Sequence, residues 1–304
     1  MEKLIVSVGP HIKDKVTIAV IMQDVVIALL PAMAASFWLF GWLSVKVIAF
    51  SVIGALGSTL ICQKLRKKKF FLDKSSLVTG VLLAFVLPPS VPWWIPVIGG
   101  ACAIILGKEI FGGLGHNIFN PALVGRAILL ASWPAYLTAW ISPFDGVSCA
   151  TPLGIIKEGL PQTLPSYREL FLGIRGGCLG ETSVLALLIG AGYLLWRRRI
   201  DWRIPFAYLT TVTVISLVTH QDPLFHLMAG GLILGAFFMA TDYVTSPTTP
   251  WGRIIFGVGC GIMTMLIRLK GGFPEGVSYS ILIMNMFVPL LDRFIRPKPF
   301  GQKK

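Results

Sequence analysis

The chain has 304 residues, of which 55% are hydrophobic and only 13% are charged. Soluble domains carry about a quarter charged residues, so this composition excludes an ordinary soluble domain. The net charge of +13 alone would fit a nucleic-acid partner, but the basic residues stand beside apolar blocks, as in the loops of membrane proteins. The composition therefore predicts a protein embedded in a lipid bilayer and no nucleic-acid partner.

Ten apolar segments follow one another along the chain. They cover roughly residues 16–40, 42–62, 75–88, 94–107, 118–141, 183–196, 203–219, 223–240, 252–268 and 277–296. The third segment ends in a Pro-rich run at 87–92 that cannot continue a helix. Broken helices are tolerated at membrane depth only where protein or a cavity satisfies the freed backbone groups. We therefore expect the third and fourth segments inside the bundle.

The two halves of the chain resemble each other. Residues 78–93 and 229–251 each form a Gly-containing apolar stretch that breaks at a Pro/Ser segment and is followed by Trp. Five segments separate the copies, and this odd number predicts two inverted repeats, as in many transport proteins. Chance similarity is the alternative, because hydrophobic segments share composition. The predicted fold is an all-α polytopic membrane protein with two inverted five-helix repeats and broken helices.

The Lys and Arg residues predict the orientation of these segments. With the N-terminus in the cytoplasm, the inside segments contain 20 basic residues and the outside segments five, which favours cytoplasmic termini and an outside Thr151. Residues 1–15 lack the apolar stretch of a signal peptide. The predicted units are a cytoplasmic segment at 1–15, the repeats at 16–141 and 183–296, an extracytoplasmic loop at 142–182 and a cytoplasmic tail at 297–304.

Ionisable residues inside apolar segments are candidates for function. Asp24 is the one clear acidic candidate for an ion path, whereas Lys46 can reach the interface with its long side chain. Arg126 either pairs with a buried carboxylate or with backbone carbonyls, or it binds a ligand.

Three further groups of residues leave alternatives open. Residues 180–183 open the sixth segment and either receive an anion such as phosphate or form an ordinary helix N-cap. His116 is either a hydrogen-bonded histidine or a metal ligand, and the first is favoured because no second His or Cys lies at metal spacing. The five cysteines form no CxxC pair, so we expect no metal or iron–sulfur site made by this chain alone. Cys149 and Cys178 could form a disulfide in an oxidising compartment.

Thr151 lies in the longest polar loop of the chain. Pro152 disfavours the α conformation at Thr151 and predicts an extended backbone that presents the hydroxyl outward, among small neighbours and without a structural role. A solvated turn opened by Asp145 and Gly146 is the alternative.

This loop also carries a family resemblance. The pattern Asp-x-x-Ser/Thr-x-Ala-Thr/Ser is met by Asp145, Ser148, Ala150 and Thr151, and it resembles the flavinylation pattern of the D subunit of Rnf electron-transport complexes. The B subunit of the Na+-translocating NADH:quinone reductase is a relative of that family. The similarity runs from about residue 15 to 296 and includes segments 112–122, 180–183 and 241–250, and the short region before the first segment favours the Rnf branch.

The resemblance implies that a separate flavin transferase esterifies the 5′-phosphate of FMN to the Thr151 hydroxyl. The implied surroundings of this flavin are Asp145, Ser148, Ala150, Glu181 and Thr182. It also implies a second, non-covalent flavin, riboflavin, nearer the cytoplasm. The implied surroundings of that flavin are Asn120, Arg126, Asp242, Thr245 and Thr248.

The resemblance further implies a role in a larger machine. The chain would be one component, not catalytic alone, of a ferredoxin:NAD+ oxidoreductase that moves Na+ or H+ across a bacterial or archaeal cytoplasmic membrane. Its partners would be the A, B, C, E and G subunits, with the FMN of the G subunit as the electron donor. The rival interpretations are a non-redox channel or transporter, since inverted repeats suit that class as well, and a scaffold that only docks other subunits.

Overall fold

The computed structural model describes residues 16–67, 73–161, 163–181, 183–272 and 275–295, and every structural statement below concerns these residues. The predicted terminal segments and Thr182 lie outside them. The helices are α1 (Ile18–Phe40), α2 (Trp42–Leu65), α3 (Lys74–Phe85), α4 (Trp94–Ile104), α5 (Pro121–Ser132), α6 (Pro134–Leu137), α7 (Pro152–Glu158), α8 (Tyr167–Leu172), α9 (Val184–Trp196), α10 (Arg203–Val218), α11 (Pro223–Met228), α12 (Leu232–Leu234), α13 (Pro250–Lys270) and α14 (Val277–Phe294). Two π-helical turns, Ile105–Glu109 and Gly235–Met239, continue α4 and α12. The all-α prediction is confirmed.

The predicted segments coincide with these helices to within a few residues, except that the fifth helix ends well before its predicted end at 141. Helices α1, α2, α13 and α14 are long and apolar enough to cross a membrane, and α3, α5, α9 and α10 are shorter apolar helices. The eighth segment is broken into α11 and α12. The short helices α6, α7 and α8 belong to the connection between α5 and α9. Helix α6 lies inside the predicted fifth segment, and α7 and α8 have no counterpart in the predicted segments.

Contacts between distant residues define two ends of the bundle. At one end Arg199, after α9, donates from Nε to Asp24 Oδ2 at 2.6 Å, so that α9 runs antiparallel to α1. At the other end Phe144 N donates to Leu39 O at 3.2 Å, which fixes the loop before Thr151 to the last residues of α1. We call these the Asp24 end and the Thr151 end.

The chain from 175 to 181 enters the bundle and is buried. Leu179 N donates to Leu87 O at 3.1 Å and Gly180 N donates to Phe85 O at 2.8 Å, so this segment satisfies carbonyls that the end of α3 leaves free. Helix α3 is buried along almost its whole length. The prediction that α3 lies inside the bundle is confirmed, and its physical requirement is met by residues far away in sequence.

A buried arginine satisfies the carbonyls at each of the two helix breaks. Arg126 on α5 donates from Nη1 to Val86 O at 2.7 Å, directly after α3. Arg268 on α13 donates to His226 O at 2.7 Å and to Ala229 O at 2.8 Å, where α11 ends. Of the alternatives left open for Arg126, the structure shows the pairing with a backbone carbonyl and also an ion pair with the carboxylate of Glu275, and a ligand role stays a prediction.

The second and fourth helical segments of each half make the broadest helix–helix contacts: α2 with α4, and α10 with α13. Glycine permits both approaches. A Cβ at Gly54 would lie 2.3 Å from Val97 O, and a Cβ at Gly257 would lie 2.7 Å from Ile204 O. Equivalent packing in the two halves agrees with a repeat, and the opposite orientation of the halves stays a prediction.

Candidate functional site

Thr151 is the N-cap of α7. Its backbone is extended (φ −69°, ψ 151°), as the following proline predicts. Its side chain, however, is not on the surface: the residue is only 5% exposed, and Oγ1 accepts a hydrogen bond from Gly154 N at 3.2 Å. The prediction of an outward hydroxyl without a structural role is wrong, because the free N–H groups of the first helical turn recruit the nearest hydroxyl.

The buried hydroxyl nevertheless borders an open space. A cleft of about 430 Å³ lies beside it. Ser148 and Ala150 line this cleft, whereas Asp145 is exposed in the turn before it. The cleft is completed by Thr138, Ala139, Trp140, Cys149, Gly154 and Glu158. A group attached to Thr151 Oγ1 therefore has room on one side of the side chain.

A short hairpin holds the residues before Thr151 in place. Ile141 and Ser148 form an isolated antiparallel bridge, and Cys149 N donates to Trp140 O at 3.1 Å. Cys149 and Cys178 are both free thiols, so the disulfide considered from the sequence is absent. Burial raises the pKa of the Cys178 thiol well above its usual value, because the low-dielectric surroundings disfavour the thiolate.

Glu181 does not line the Thr151 cleft. It lies in the buried segment that supports the end of α3, near the breaks of both broken helices. Ser183, two residues further, caps α9 by accepting from Ala186 N at 3.3 Å, so the N-cap interpretation of this segment is the one that the structure shows. Thr182, which the resemblance also implies, lies outside the described residues.

A cluster of buried charges joins the two helix breaks. Arg126 forms an ion pair through Nη2 with Glu275, and its Nη1 approaches Cys178 Sγ at 3.4 Å. The ligand-type atoms of Cys178, Glu181 and Glu275 lie within 4.8 Å of one another. Arg175 also faces this cluster, and its Nη2 donates to Glu181 O at 2.6 Å.

Two atoms of the cluster have no hydrogen-bond partner among the described residues: Glu275 Oε1 and Arg175 Nη1. Glu275 lies in the connection between α13 and α14. Burial raises the pKa of this carboxyl to about 7, with the nearby Glu181 charge adding to the effect and Arg126 opposing it. An orphaned, buried carboxylate oxygen is expensive unless a donor reaches it, so this position can receive a hydrogen-bond donor.

A second cavity lies near the Asp24 end, between the two π-helical turns. Its volume is about 60 Å³. Asn117, Asn120, Lys108 and Asp242 provide polar groups, and Phe237, Phe238, Leu114 and Tyr243 are among its apolar and aromatic residues. Single π-helical turns often mark functional sites, because they displace side chains from the regular helical register.

The residues implied for the second flavin divide between this cavity and its surroundings. Asn120 caps α5 by accepting from Ala122 N at 3.1 Å and donates to Met239 O at 3.2 Å. Thr245 does not line the cavity but donates to Oδ2 of Asp242, which does, at 3.1 Å. Thr248 is further away and donates to Asp292 Oδ1 at 3.0 Å, and Arg126 does not line the cavity.

Lys108 is the residue of this cavity that sequence reasoning missed. The charge pattern of the sequence assigns Lys108 to the basic residues of the cytoplasmic loops. In the structure it is only 1% exposed and forms an ion pair with Asp73. Its Nζ also donates to Ser75 Oγ at 3.3 Å and Ser76 Oγ at 3.2 Å. The Asp-x-Ser-Ser run that caps α3 was the available signal, since a buried lysine needs such partners.

Asp24 is likewise paired rather than free. Besides Arg199, its carboxylate accepts from Tyr193 Oη at 3.1 Å and lies 3.6 Å from Arg197 Nη2. These contacts join α1 to the end of α9. These partners are sufficient to explain why a carboxylate is buried at this position, and no role in ion transport is needed for it.

Comparison with known proteins identifies the family. The profile of the NQR2, RnfD, RnfE family matches residues 5–301. The chain belongs to this family. The chain is 51% identical to the D subunit of the Na(+)-translocating ferredoxin:NAD(+) oxidoreductase complex of Acetobacterium woodii, over 99% of this chain and 96% of that relative.

Two further relatives extend the comparison. The D subunit of the proton-translocating ferredoxin:NAD(+) oxidoreductase complex of Clostridium ljungdahlii is 43% identical over 98% of this chain and 96% of its own length. The D subunit of the ion-translocating oxidoreductase complex of Halorhodospira halophila is 36% identical over 97% and 95%. The predicted resemblance to Rnf D subunits is confirmed, and the chain is a multi-pass membrane protein and a component of an oxidoreductase complex.

Proposed function

We propose that this chain is the membrane flavoprotein subunit of an ion-translocating ferredoxin:NAD+ oxidoreductase, with FMN esterified to Thr151. The observation that carries the proposal is the attachment pattern at 145–151 within a chain that matches D subunits from end to end. The cleft beside the Thr151 hydroxyl supports it, because a phosphoester needs space on one side of Oγ1.

The N-cap role of Thr151 is compatible with a phosphoester. Esterification replaces the hydroxyl hydrogen, and the oxygen keeps a lone pair that can accept from Gly154 N. The cap therefore holds Oγ1 in one position before and after modification. A fixed attachment atom limits where the flavin can lie, which is what a protein contributes when the cofactor supplies the redox chemistry.

The proposal includes a second, non-covalent flavin, riboflavin, in the cavity near the Asp24 end. The cavity combines apolar and aromatic walls with a few polar groups from Asn117, Asn120 and Asp242, as small-molecule sites usually do. Its partly closed mouth requires side chains to move on binding. Leu114 lines the cavity and lies between Gly113 and Gly115, which have φ of 103° and 93°, and glycines on both sides allow this segment to change its backbone conformation.

The remaining parts of the proposal follow from the family. The partners are the A, B, C, E and G subunits of the complex, with the FMN of the G subunit as electron donor, and a flavin transferase matures the chain. The membrane is the bacterial or archaeal cytoplasmic membrane, with the termini inside and Thr151 outside. The transported ion is Na+ or H+, since the relatives from Acetobacterium woodii and Clostridium ljungdahlii carry one or the other in their names.

Flavin fluorescence in a denaturing gel tests the attachment, with the chain co-expressed with a flavin transferase. Thr151→Ala removes the hydroxyl but also the N-cap, which costs about 1 kcal/mol. Thr151→Asn separates the two effects, because Asn caps helices and has no hydroxyl. We expect a fluorescent band for the wild type and for Thr151→Ser, and none for Thr151→Asn or Thr151→Ala.

Thr138→Ala is the matched control, because Thr138 is an exposed hydroxyl in the same cleft and outside the attachment pattern. It should leave the fluorescent band unchanged. A fluorescent Thr151→Asn band would contradict the proposal. A dark wild-type band, with the transferase active on another substrate, would favour a non-redox transporter instead.

A further inference from the structure

A third pocket lies next to the Thr151 cleft. Its volume is about 60 Å³, so a large ligand requires the side chains of its walls to move apart. Thr138 and Trp140 line both this pocket and the Thr151 cleft, so the two spaces share a wall. Leu130, Leu137 and Tyr279 complete the apolar side of the pocket.

The inner end of the pocket is charged. Arg126 and Glu275, which form the buried ion pair described above, both line it. Leu130 follows Arg126 by one helical turn on α5, and this spacing places the two side chains on the same face of the helix. Glu275 Oε1 is buried and has no partner among the described residues. The pocket thus presents a guanidinium donor beside a carboxylate oxygen that needs a donor.

This arrangement is complementary to one edge of a flavin. The pyrimidine edge of the isoalloxazine ring carries carbonyl oxygens that accept hydrogen bonds on both sides of an N–H that donates one. Arg126 can donate to a carbonyl, and Glu275 Oε1 can accept from the N–H. The remainder of the ring is flat and largely apolar, like the walls formed by Leu130, Leu137 and Tyr279.

We infer that this pocket receives the isoalloxazine ring of the flavin attached to Thr151, with its pyrimidine edge against Arg126 and Glu275. The inference rests on the proposed covalent flavin. The flexible ribityl chain connects the phosphate in the Thr151 cleft to the ring across the wall shared through Thr138 and Trp140. Arg126 is then a positioning and tuning residue for the outer flavin, and not part of the cavity near the Asp24 end.

Opposite charges at the ring edge predict opposite effects on the flavin. Reduction places negative charge on the ring, so a neighbouring positive charge favours the reduced form and a neighbouring negative charge disfavours it. Glu275→Gln should therefore raise the midpoint potential, and Arg126→Gln added to Glu275→Gln should lower it again, because the second change removes the remaining positive charge. A unit charge in direct contact shifts such an equilibrium by about tenfold, which is about 59 mV for a one-electron step.

The measurement is a redox titration of the full-length chain, co-expressed with the transferase, at pH 8, where Glu275 is ionised. The spectrum of Thr151→Asn is subtracted, so that the remaining signal belongs to the covalent flavin. Arg168→Gln, an exposed arginine on α8, is the control and should leave the potential unchanged. A gel of each variant shows whether the flavin is attached.

A second pair of variants keeps the inference testable if the charge variants fail to fold. Tyrosine in contact with a flavin quenches its fluorescence by electron donation. Trp140 lines the same pocket and quenches in the same way, so the test is made in a chain that carries Trp140→Phe. In that chain Tyr279→Leu should raise the native flavin fluorescence and leave the fluorescence of the denatured chain unchanged. Tyr136→Leu is the control, because Tyr136 packs against Trp94 with 5.7 Å between ring centres and does not line the pocket.

The outcomes separate the two proposals. A dark gel band for the wild type contradicts the covalent flavin itself. An attached flavin whose potential is unchanged in Glu275→Gln, or is not lowered again when Arg126→Gln is added, overturns the ring placement while the attachment stands. Equal native fluorescence of the Trp140→Phe chain with and without Tyr279→Leu overturns it as well.

Discussion

Thr151 performs two tasks with one oxygen atom. As the N-cap of α7 it accepts a hydrogen bond from Gly154 N, and as the proposed attachment atom it bonds to phosphorus. The cap limits Oγ1 to one position, because a side chain that satisfies the first turn cannot also rotate freely into solvent. Thr151 is only 5% exposed, but the fixed Oγ1 borders the cleft. A transferase could therefore reach this oxygen from the cleft.

Glu275 predicts a pH dependence of stability. Its pKa is raised from 4.5 to about 7 by burial and by Glu181, while Arg126 and Arg268 oppose the shift. The folded chain therefore binds a proton that the unfolded chain releases between these values. The resulting stabilisation is complete below pH 4.5 and is lost as pH rises through about 7.

We therefore expect the melting temperature of the detergent-solubilised wild type to fall more steeply between pH 5 and about 7.5 than that of Glu275→Gln. Gln cannot titrate, so the difference between the two curves isolates this carboxyl. Parallel curves would show that Glu275 keeps its ordinary pKa in the folded chain.

Sequence reasoning was accurate for single residues where one local rule decides and failed where burial decides. Pro152 correctly predicted the extended backbone of Thr151. The same reasoning placed the Thr151 hydroxyl and the Lys108 charge in solvent, and both are buried. The Thr151 hydroxyl is held inward as the N-cap of α7, which the sequence interpretation did not consider. The Lys108 charge is buried against Asp73, Ser75 and Ser76, which are 32 to 35 residues away in sequence.

At the scale of elements, the long helices were predictable because they are apolar runs ended by proline, glycine or charge, whereas the short helices α7 and α8 were not predicted. The segment from 175 to 181 was not, since its Arg, Cys and Glu residues are typical of a surface loop. Its burial follows from the break in α3, which leaves carbonyls that only another chain segment can satisfy at this depth.

Close helix contacts give a test at the same scale. A Cβ at Gly190 on α9 would lie 1.9 Å from Ala28 O on α1, whereas a Cβ at Gly192 would meet nothing within 4 Å. Gly190→Ala must push α1 and α9 apart, and overpacking of this kind costs about 1–3 kcal/mol. We expect Gly190→Ala to lower the melting temperature of the solubilised chain by several degrees.

Gly192→Ala is the matched control on the same helix, and it should be neutral or slightly stabilising because Ala is the better helix former. Equal melting temperatures for the two variants would mean that α1 and α9 do not pack as closely as described. The Asp24–Arg199 ion pair depends on the same contact, so Gly190→Ala should also weaken that link.

At the scale of the whole molecule, charge and structure agree on two distinct ends. Basic residues crowd the Asp24 end: Arg197, Arg198, Arg199, Arg203 and Arg253 all lie there, close to Asp24 or Asp201 or in the same cleft. The Thr151 end carries the hairpin and the three short helices α6, α7 and α8. Because basic loops remain on the cytoplasmic side, the proposed orientation places the Thr151 cleft outside.

Cysteine labelling in intact cells tests this orientation. In a chain whose five native cysteines are replaced by serine, Val147→Cys places a thiol at an exposed position of the Thr151 end, and Arg198→Cys does so at the Asp24 end. We expect a membrane-impermeant maleimide to label Val147→Cys in intact cells and Arg198→Cys only after the membrane is opened. The reverse pattern would place the proposed flavin on the cytoplasmic side, and the charge asymmetry would then need another cause.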